Sequence, residues 1–145
     1  MWSEPVTFTI PGVPVPKGRP KASVRRRGSR AFVNMRTPDA TRAYEALVAR
    51  HAPRVAVPER GIYWVRAVFV VRDRPKTRPS HTPPVSWADP EPFHVGQTDV
   101  DNHVKALLDG LQHWMGNDAR VVRLEVEKRC GDVPRVDVAV RWVAA

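Results

Sequence analysis

The chain sets 24 lysines and arginines against 15 acids over 145 residues, a net charge of +9, and 42% of it is hydrophobic. That length suits one domain with one core, and the hydrophobic share argues against wholesale disorder. No apolar run approaches the roughly 18–20 residues of a membrane span, and a single cysteine, Cys130, rules out an internal disulfide or a cysteine zinc site.

The opening residues, MWSEPVTFTIPG, show neither the basic nor the apolar region of a signal peptide, so a soluble, cytoplasmic protein with no membrane partner is expected. A strongly positive field favours polyanions, of which nucleic acid is the commonest inside cells. The charge is also clustered. Residues 17–30, KGRPKASVRRRGSR, hold seven cations (Lys17, Arg19, Lys21, Arg25, Arg26, Arg27 and Arg30) and no acid.

Residues 6–12 alternate apolar and polar side chains and stop at Pro-Gly, which predicts a strand. The basic segment 13–31, laced with Pro14, Pro16 and Pro20, is expected to be an extended loop. Thr37-Pro38-Asp39 is a helix start, with an early proline and an acid; Ala40, Tyr44, Leu47, Val48 and His51 then follow helical spacing as far as Pro53. Residues 61–71, GIYWVRAVFVV, are β-branched and aromatic, with one charge, and suit a central strand. Residues 72–98 hold six prolines and little periodicity; a loop this long is usually functional or disordered.

Val104, Leu107, Leu108 and Leu111 form a helical stripe. Residues 119–130 and 135–143 alternate as strands, with GDVP between them as the turn of a C-terminal hairpin. The order strand, helix, strand, helix, strand, strand predicts a single α+β domain over residues 1–145, with a mixed or antiparallel sheet of about four strands and two helices.

The segment QTDVDNHVKALLDGL, residues 97–111, poses the chemical question: why two aspartates, one residue apart, just before a helix? One is explained as a cap. If the chain is extended through 99–101 and turns helical near Asn102, Asp99 and Asp101 project to the same side. Lys105 then lies one turn beyond Asp101, and Asp118 follows the helix in a turn leading to the next strand. Three carboxylates converging in a protein of this charge repel one another unless a hard cation neutralises them, and oxygen ligands suit Mg²⁺ or Mn²⁺. Such a site hydrolyses phosphodiesters, with the lysine at the phosphate. Each feature alone has an ordinary explanation: a cap, an i,i+4 ion pair, a turn residue. Their combination on a basic chain favours the site.

DVDNHVKALLDGL, followed by GNDARVV, resembles the core signature of the RusA family of Holliday junction resolvases. The signature has two aspartates flanking one residue, an asparagine, a lysine four positions after the second aspartate, a Leu-Asp pair and a later aspartate before a strand. GVPVPKGRPK resembles the family's second landmark, a basic proline-containing loop after the first strand. The resemblance implies that Asp99, Asp101 and Asp118 are metal-binding catalytic aspartates, that Lys105 is the catalytic lysine, and that Asn102 supports them by orienting an aspartate or the helix start. Where relatives carry paired acids, this chain has Asn117-Asp118.

It further implies an Mg²⁺-dependent endonuclease, with no small-molecule cofactor, that resolves four-way junctions in DNA recombination and repair. Two symmetric nicks call for a C2 homodimer, its basic loops lying over the DNA arms. A non-catalytic architectural DNA-binding protein and a metal-dependent flap or branch nuclease are the alternatives.

Several residues outside the signature carry lesser expectations. Asp109 is expected to pair with Lys105 or to make a structural hydrogen bond, and Lys128 to face solvent, with a phosphate contact as the alternative. Trp64 and Trp142 are expected in the core, while base stacking and local packing both stay open for Trp87 and Trp114. Phe93 either wedges between bases or packs under its loop. The five histidines have no zinc-motif spacing; His103, next to Asn102, either approaches DNA or is an ordinary surface histidine.

Overall fold

The computed structural model describes residues 1–96 and 98–145; Gln97, near the end of the proline-rich segment, lies outside them. Six strands are formed: β1 Val6–Pro11, β2 Lys21–Arg27, β3 Arg30–Arg36, β4 Gly61–Arg72, β5 Val121–Cys130 and β6 Arg135–Ala144. The helices are α1 Asp39–His51, α2 Pro84–Trp87, α3 Val100–Gly110 and α4 Gln112–Met115, and a 3₁₀ turn, Asp118–Arg120, leads into β5. This is an α+β domain built on a four-stranded mixed sheet of order β1-β6-β4-β5, with a separate β2-β3 ribbon. None of the helices among the described residues is long and apolar enough to cross a membrane.

β4 is central, as its composition implies. Its odd-numbered residues Tyr63, Val65, Ala67, Phe69 and Val71 are buried against the helices together with Ile10, Val136, Val138 and Val140. From the helical side α1 contributes Tyr44 and Val48, and α3 contributes Val104, Ala106 and Leu107. The two helices approach closely at Gly110, where a Cβ would stand 2.6 Å from the Val48 side chain and 3.0 Å from the Glu45 carbonyl oxygen. A larger residue there would push α3 away from α1, and α3 carries the aspartates.

Three expectations are corrected by this topology. The C-terminal strands do not form a hairpin: β6 pairs antiparallel and β5 parallel with β4, which lies between them. Alternation fixes which face a strand buries but is blind to its neighbour. The basic segment is not a loop throughout either. It carries β2 and the start of β3, joined by Gly28-Ser29; Gly28 has φ +64° and Ser29 has no positive φ, as in a type II′ turn.

The proline-rich segment, third, is packed rather than irregular. Arg74 donates to the Trp87 carbonyl at 2.8 Å, and the His94 N–H to the Lys128 carbonyl at 2.8 Å. Phe93 makes an antiparallel bridge with Arg129, whose guanidinium lies 4.4 Å from the centre of its ring.

The tryptophans divide. Trp142 packs on the core, whereas Trp64 lies on the opposite sheet face, between Arg123 at 3.8 Å and Arg141 at 5.4 Å. Trp87 stacks under Arg74, and Trp114 donates to the Val55 carbonyl at 2.8 Å, so both pack locally.

Candidate active site and nucleic-acid interface

Asp99 sits at the N-cap of α3 with extended backbone (φ −78°, ψ 138°), and the helix begins at Val100, two residues before the expected start. Asp101 is therefore in the first helical turn rather than on an extended run, and the shared-side argument from alternation does not apply. The two carboxylates still stand at one helix end, beside unsatisfied backbone N–H groups and the positive end of the helix dipole. Although Asp99 occupies the cap position, no side-chain capping bond is made. Asp99, Asp101 and Lys105 are all exposed and form no salt bridge among the described residues.

Asp118 is elsewhere. It opens the 3₁₀ turn at the far side of α3 and α4, and α3 alone spans about 16 Å. Among the described residues no three His, Cys, Asp or Glu side chains come together within the chain, so Asp118 does not join Asp99 and Asp101 in one subunit. Its turn is nevertheless firmly built. Asn117 Oδ1 accepts the Ala119 N–H at 2.8 Å, giving this asparagine a capping role. Arg120 lies over the Tyr63 ring and donates to the carbonyls of Met115 and Pro58. Arg120 went unnoticed in the sequence because an arginine after a turn has no distinguishing pattern.

Lys17 departs from the other cations of its segment. Its Nζ lies 2.6 Å from Glu45 and 2.9 Å from Asp109, and its backbone N–H donates to the Asn102 carbonyl at 2.9 Å. Burial alone would lower its pKa, but hydrogen bonds to the two carboxylates outweigh that and raise it. Asp109 thus pairs with Lys17, not Lys105, and Lys17 serves the fold as a cross-brace between α1 and α3. Lys128 is corrected too: it is not in solvent, and its ammonium donates to the Thr98 carbonyl, directly before Asp99.

The remaining cations lie where DNA can reach them. Both ribbon strands are exposed along their whole length. The register puts Lys21, Arg25, Arg27, Arg30 and Arg36 on one face, and Ala22, Val24, Ala31, Val33 and Met35 on the other with Arg26. Arg19 is exposed just before the ribbon. A two-stranded ribbon of this kind fits the major groove of duplex DNA.

Between the carboxylates and β4 lies a cleft of about 370 Å³ lined by Val13, Pro14, Val71, Arg72, His94, Gly96, Thr98 and His103. His103 is 1% exposed, with its ring 5.3 Å from that of Phe69. Burial, then the charges of Lys128 and His94, holds its pKa down at about 4. Burial likewise lowers His94, reinforced by Lys128, Arg72 and His81. His103 is thus inside the protein rather than on its surface.

A small α+β fold with an acidic pair at a helix start and a basic ribbon suits a protein that acts on nucleic acid. The sequence profile of the RusA endodeoxyribonucleases matches residues 11–141. The chain is also 34% identical to the uncharacterized protein YqaN of Bacillus subtilis (strain 168), across 97% of its own length and 98% of that protein's. The protein belongs to the RusA endodeoxyribonuclease family, a family of nucleases.

Proposed function

We propose that the protein is a divalent-metal-dependent endonuclease that resolves four-way DNA junctions by paired, symmetric nicks, serving recombination and repair. The observation that carries the reading is the Asp99–Asp101 pair: two carboxylates at one helix end, exposed, uncapped and without an ion pair among the described residues, on a chain of net charge +9. Family membership supports the endonuclease class.

The donor set fits Mg²⁺, or Mn²⁺, which commonly takes one or two carboxylates and completes its shell with waters and substrate phosphate. Asp99 and Asp101 would hold the ion; when bound, it supplies an activated water and charge neutralisation at the phosphate. Lys105, a turn beyond Asp101, offsets charge on the phosphodiester, and Asn102 fixes the start of α3 through its carbonyl bond to Lys17. Because Asp118 lies beyond the far end of α3, it acts at the site of a second copy. That arrangement suits a C2 homodimer, whose two sites match the symmetry of a junction. Arg19, Lys21, Arg25, Arg26, Arg27 and Arg30 bind the phosphates of the arms, so binding falls steeply with salt.

The test is cleavage of a labelled synthetic four-way junction beside matched duplex and flap substrates, with Mg²⁺ and with EDTA. Metal-dependent, symmetric nicks confined to the junction support a resolvase. Nicks on the flap alone establish a branch nuclease. Tight binding with no cleavage under Mg²⁺ or Mn²⁺ would leave an architectural protein.

A further inference from the structure

Six buried side-chain polar atoms among the described residues have no hydrogen-bond partner, and four of them belong to one cleft: His94 Nδ1, Thr98 Oγ1, and both nitrogens of His103. Buried polar groups are rarely left unpaired, because each has lost its hydrogen bonds to water without replacement. An imidazole with both nitrogens unpaired on a helix next to β4 is therefore a standing cost to the fold. Leucine would pack there without it. At Gly96 a Cβ would stand 2.6 Å from the His94 ring, so a side chain there would shift that ring from its place over the loop.

We propose that this cleft is a nucleobase-reading pocket. It takes one everted base of the DNA, next to the phosphate to be cut, between the walls of Val13, Pro14 and Val71, and hydrogen-bonds the base edge through His94, Thr98 and His103. The position rests on the nuclease reading, since Thr98 directly precedes Asp99 and His103 lies two residues after Asp101.

Three features select this ligand class. The volume, about 370 Å³, falls within the range of small-molecule sites and leaves room for a planar ring system. Base edges alternate donors and acceptors, and a neutral imidazole and a hydroxyl each offer both. Arg72 lines the cleft and Lys128 reaches Thr98, so the surround is positive and suits a polyanionic strand. A bare phosphate would leave the valine and proline walls without a role. An apolar ligand would leave all four polar atoms unpaired. Enzymes that read extruded bases use this combination of apolar walls and edge hydrogen bonds.

The experiment has two arms. In EDTA, four-way junctions carrying 2-aminopurine at successive positions around the crossover are bound to the wild-type protein, to Val13→Trp and to His103→Leu. Val13 is 58% exposed at the rim, so its replacement blocks the cleft without disturbing the core. A several-fold fluorescence rise at one position in each half of the junction is expected with wild type, and its loss with Val13→Trp. In Mg²⁺, cuts are mapped over a junction library with randomised core sequence. In both variants the ratio between best and worst sequences should flatten by tenfold or more, as expected when one base contact is removed.

A bound junction that shows no fluorescence rise at any position would overturn the pocket, as would an unchanged sequence preference in both variants. Absence of cleavage on every DNA would sink the nuclease reading alone, and the fluorescence arm would still decide whether a base enters.

Discussion

The two ends of the α1–α3 pair treat their acids in opposite ways. At the Gly110 end, Asp109 and Glu45 close on Lys17 at 2.9 and 2.6 Å, so three charged groups become a brace between helices. At the Asp99 end, two carboxylates and Lys105 remain exposed, and none forms a salt bridge among the described residues. Acids that hold this fold together are neutralised within it. Those at the start of α3 are left available, with the dipole and the unsatisfied N–H groups of the helix favouring negative charge beside them. On the proposed function, the same residue types serve architecture at one end and chemistry at the other, and substitutions should separate the two.

The largest effect is expected at the working end. Asp101→Asn keeps size and removes one charge from the proposed metal site, so cleavage of a four-way junction should fall by on the order of a hundredfold or more. That corresponds to about 3 kcal/mol of lost transition-state stabilisation. Junction affinity in a gel-shift assay should hold or rise, because a charge that repels phosphate is gone. A variant cutting at the wild-type rate would move the chemistry elsewhere.

Next in size is the ribbon. Arg25→Ala, Arg27→Ala and Arg30→Ala combined should weaken junction binding on the order of tenfold or more, similarly for every sequence, and flatten the log–log salt dependence by about three. Melting temperature should barely move, since both strands are exposed along their length. If affinity survives the triple change, the DNA path lies over another face, with the arginines around Trp64 the first alternative.

Smaller, and confined to stability, is Lys17→Met. Removing the cation leaves Glu45 and Asp109 facing each other in a partly buried setting, which should cost about 1–2 kcal/mol, between the values for exposed and buried pairs. For a chain of this size that is a drop of roughly 3–8 °C in Tm. The pKa of Lys17 is raised in the folded state, so its contribution is fully present below about pH 10.5, the unfolded value, and fades as the pH climbs through the folded one. The gap between wild type and variant in chemical denaturation should shrink over that alkaline range.

Much of this was legible in the sequence, and the misses share a cause. Alternation and apolar spacing give β1, β4, α1 and α3, because each buries one face and the pattern records which. They say nothing of partners, which is why the parallel pairing of β5 with β4 was read as a hairpin and why Lys17 was grouped with the cations expected to face DNA. The ribbon was hidden for a different reason. Its alternation runs between arginines and small apolar residues with no core to face, and GRPKASVRRRGSR looks like a charged loop until the Gly28 turn folds it. That Asp99 and Asp101 stand together at a helix start was visible in their spacing, but the position of Asp118 depends on where a helix ends in space. His103 and Lys128 gave no signal, since burial of a lone polar residue is settled by tertiary packing.

The sharpest form of the comparison sets Lys105 against Lys17. Lys105 is exposed and makes no salt bridge among the described residues, so Lys105→Met should change the unfolding free energy by no more than about 0.5 kcal/mol, the usual range for a surface substitution away from caps and networks. Its cleavage rate should nevertheless fall clearly under single-turnover conditions, because the only work assigned to this ammonium is at the phosphate. The two lysines then give opposite profiles in the same pair of assays, one losing stability while it cuts and the other losing cleavage while it stays folded. A Lys105→Met protein that melts several degrees early would mean that this end of α3 is also held together by its charges, and that the division between brace and site is drawn in the wrong place.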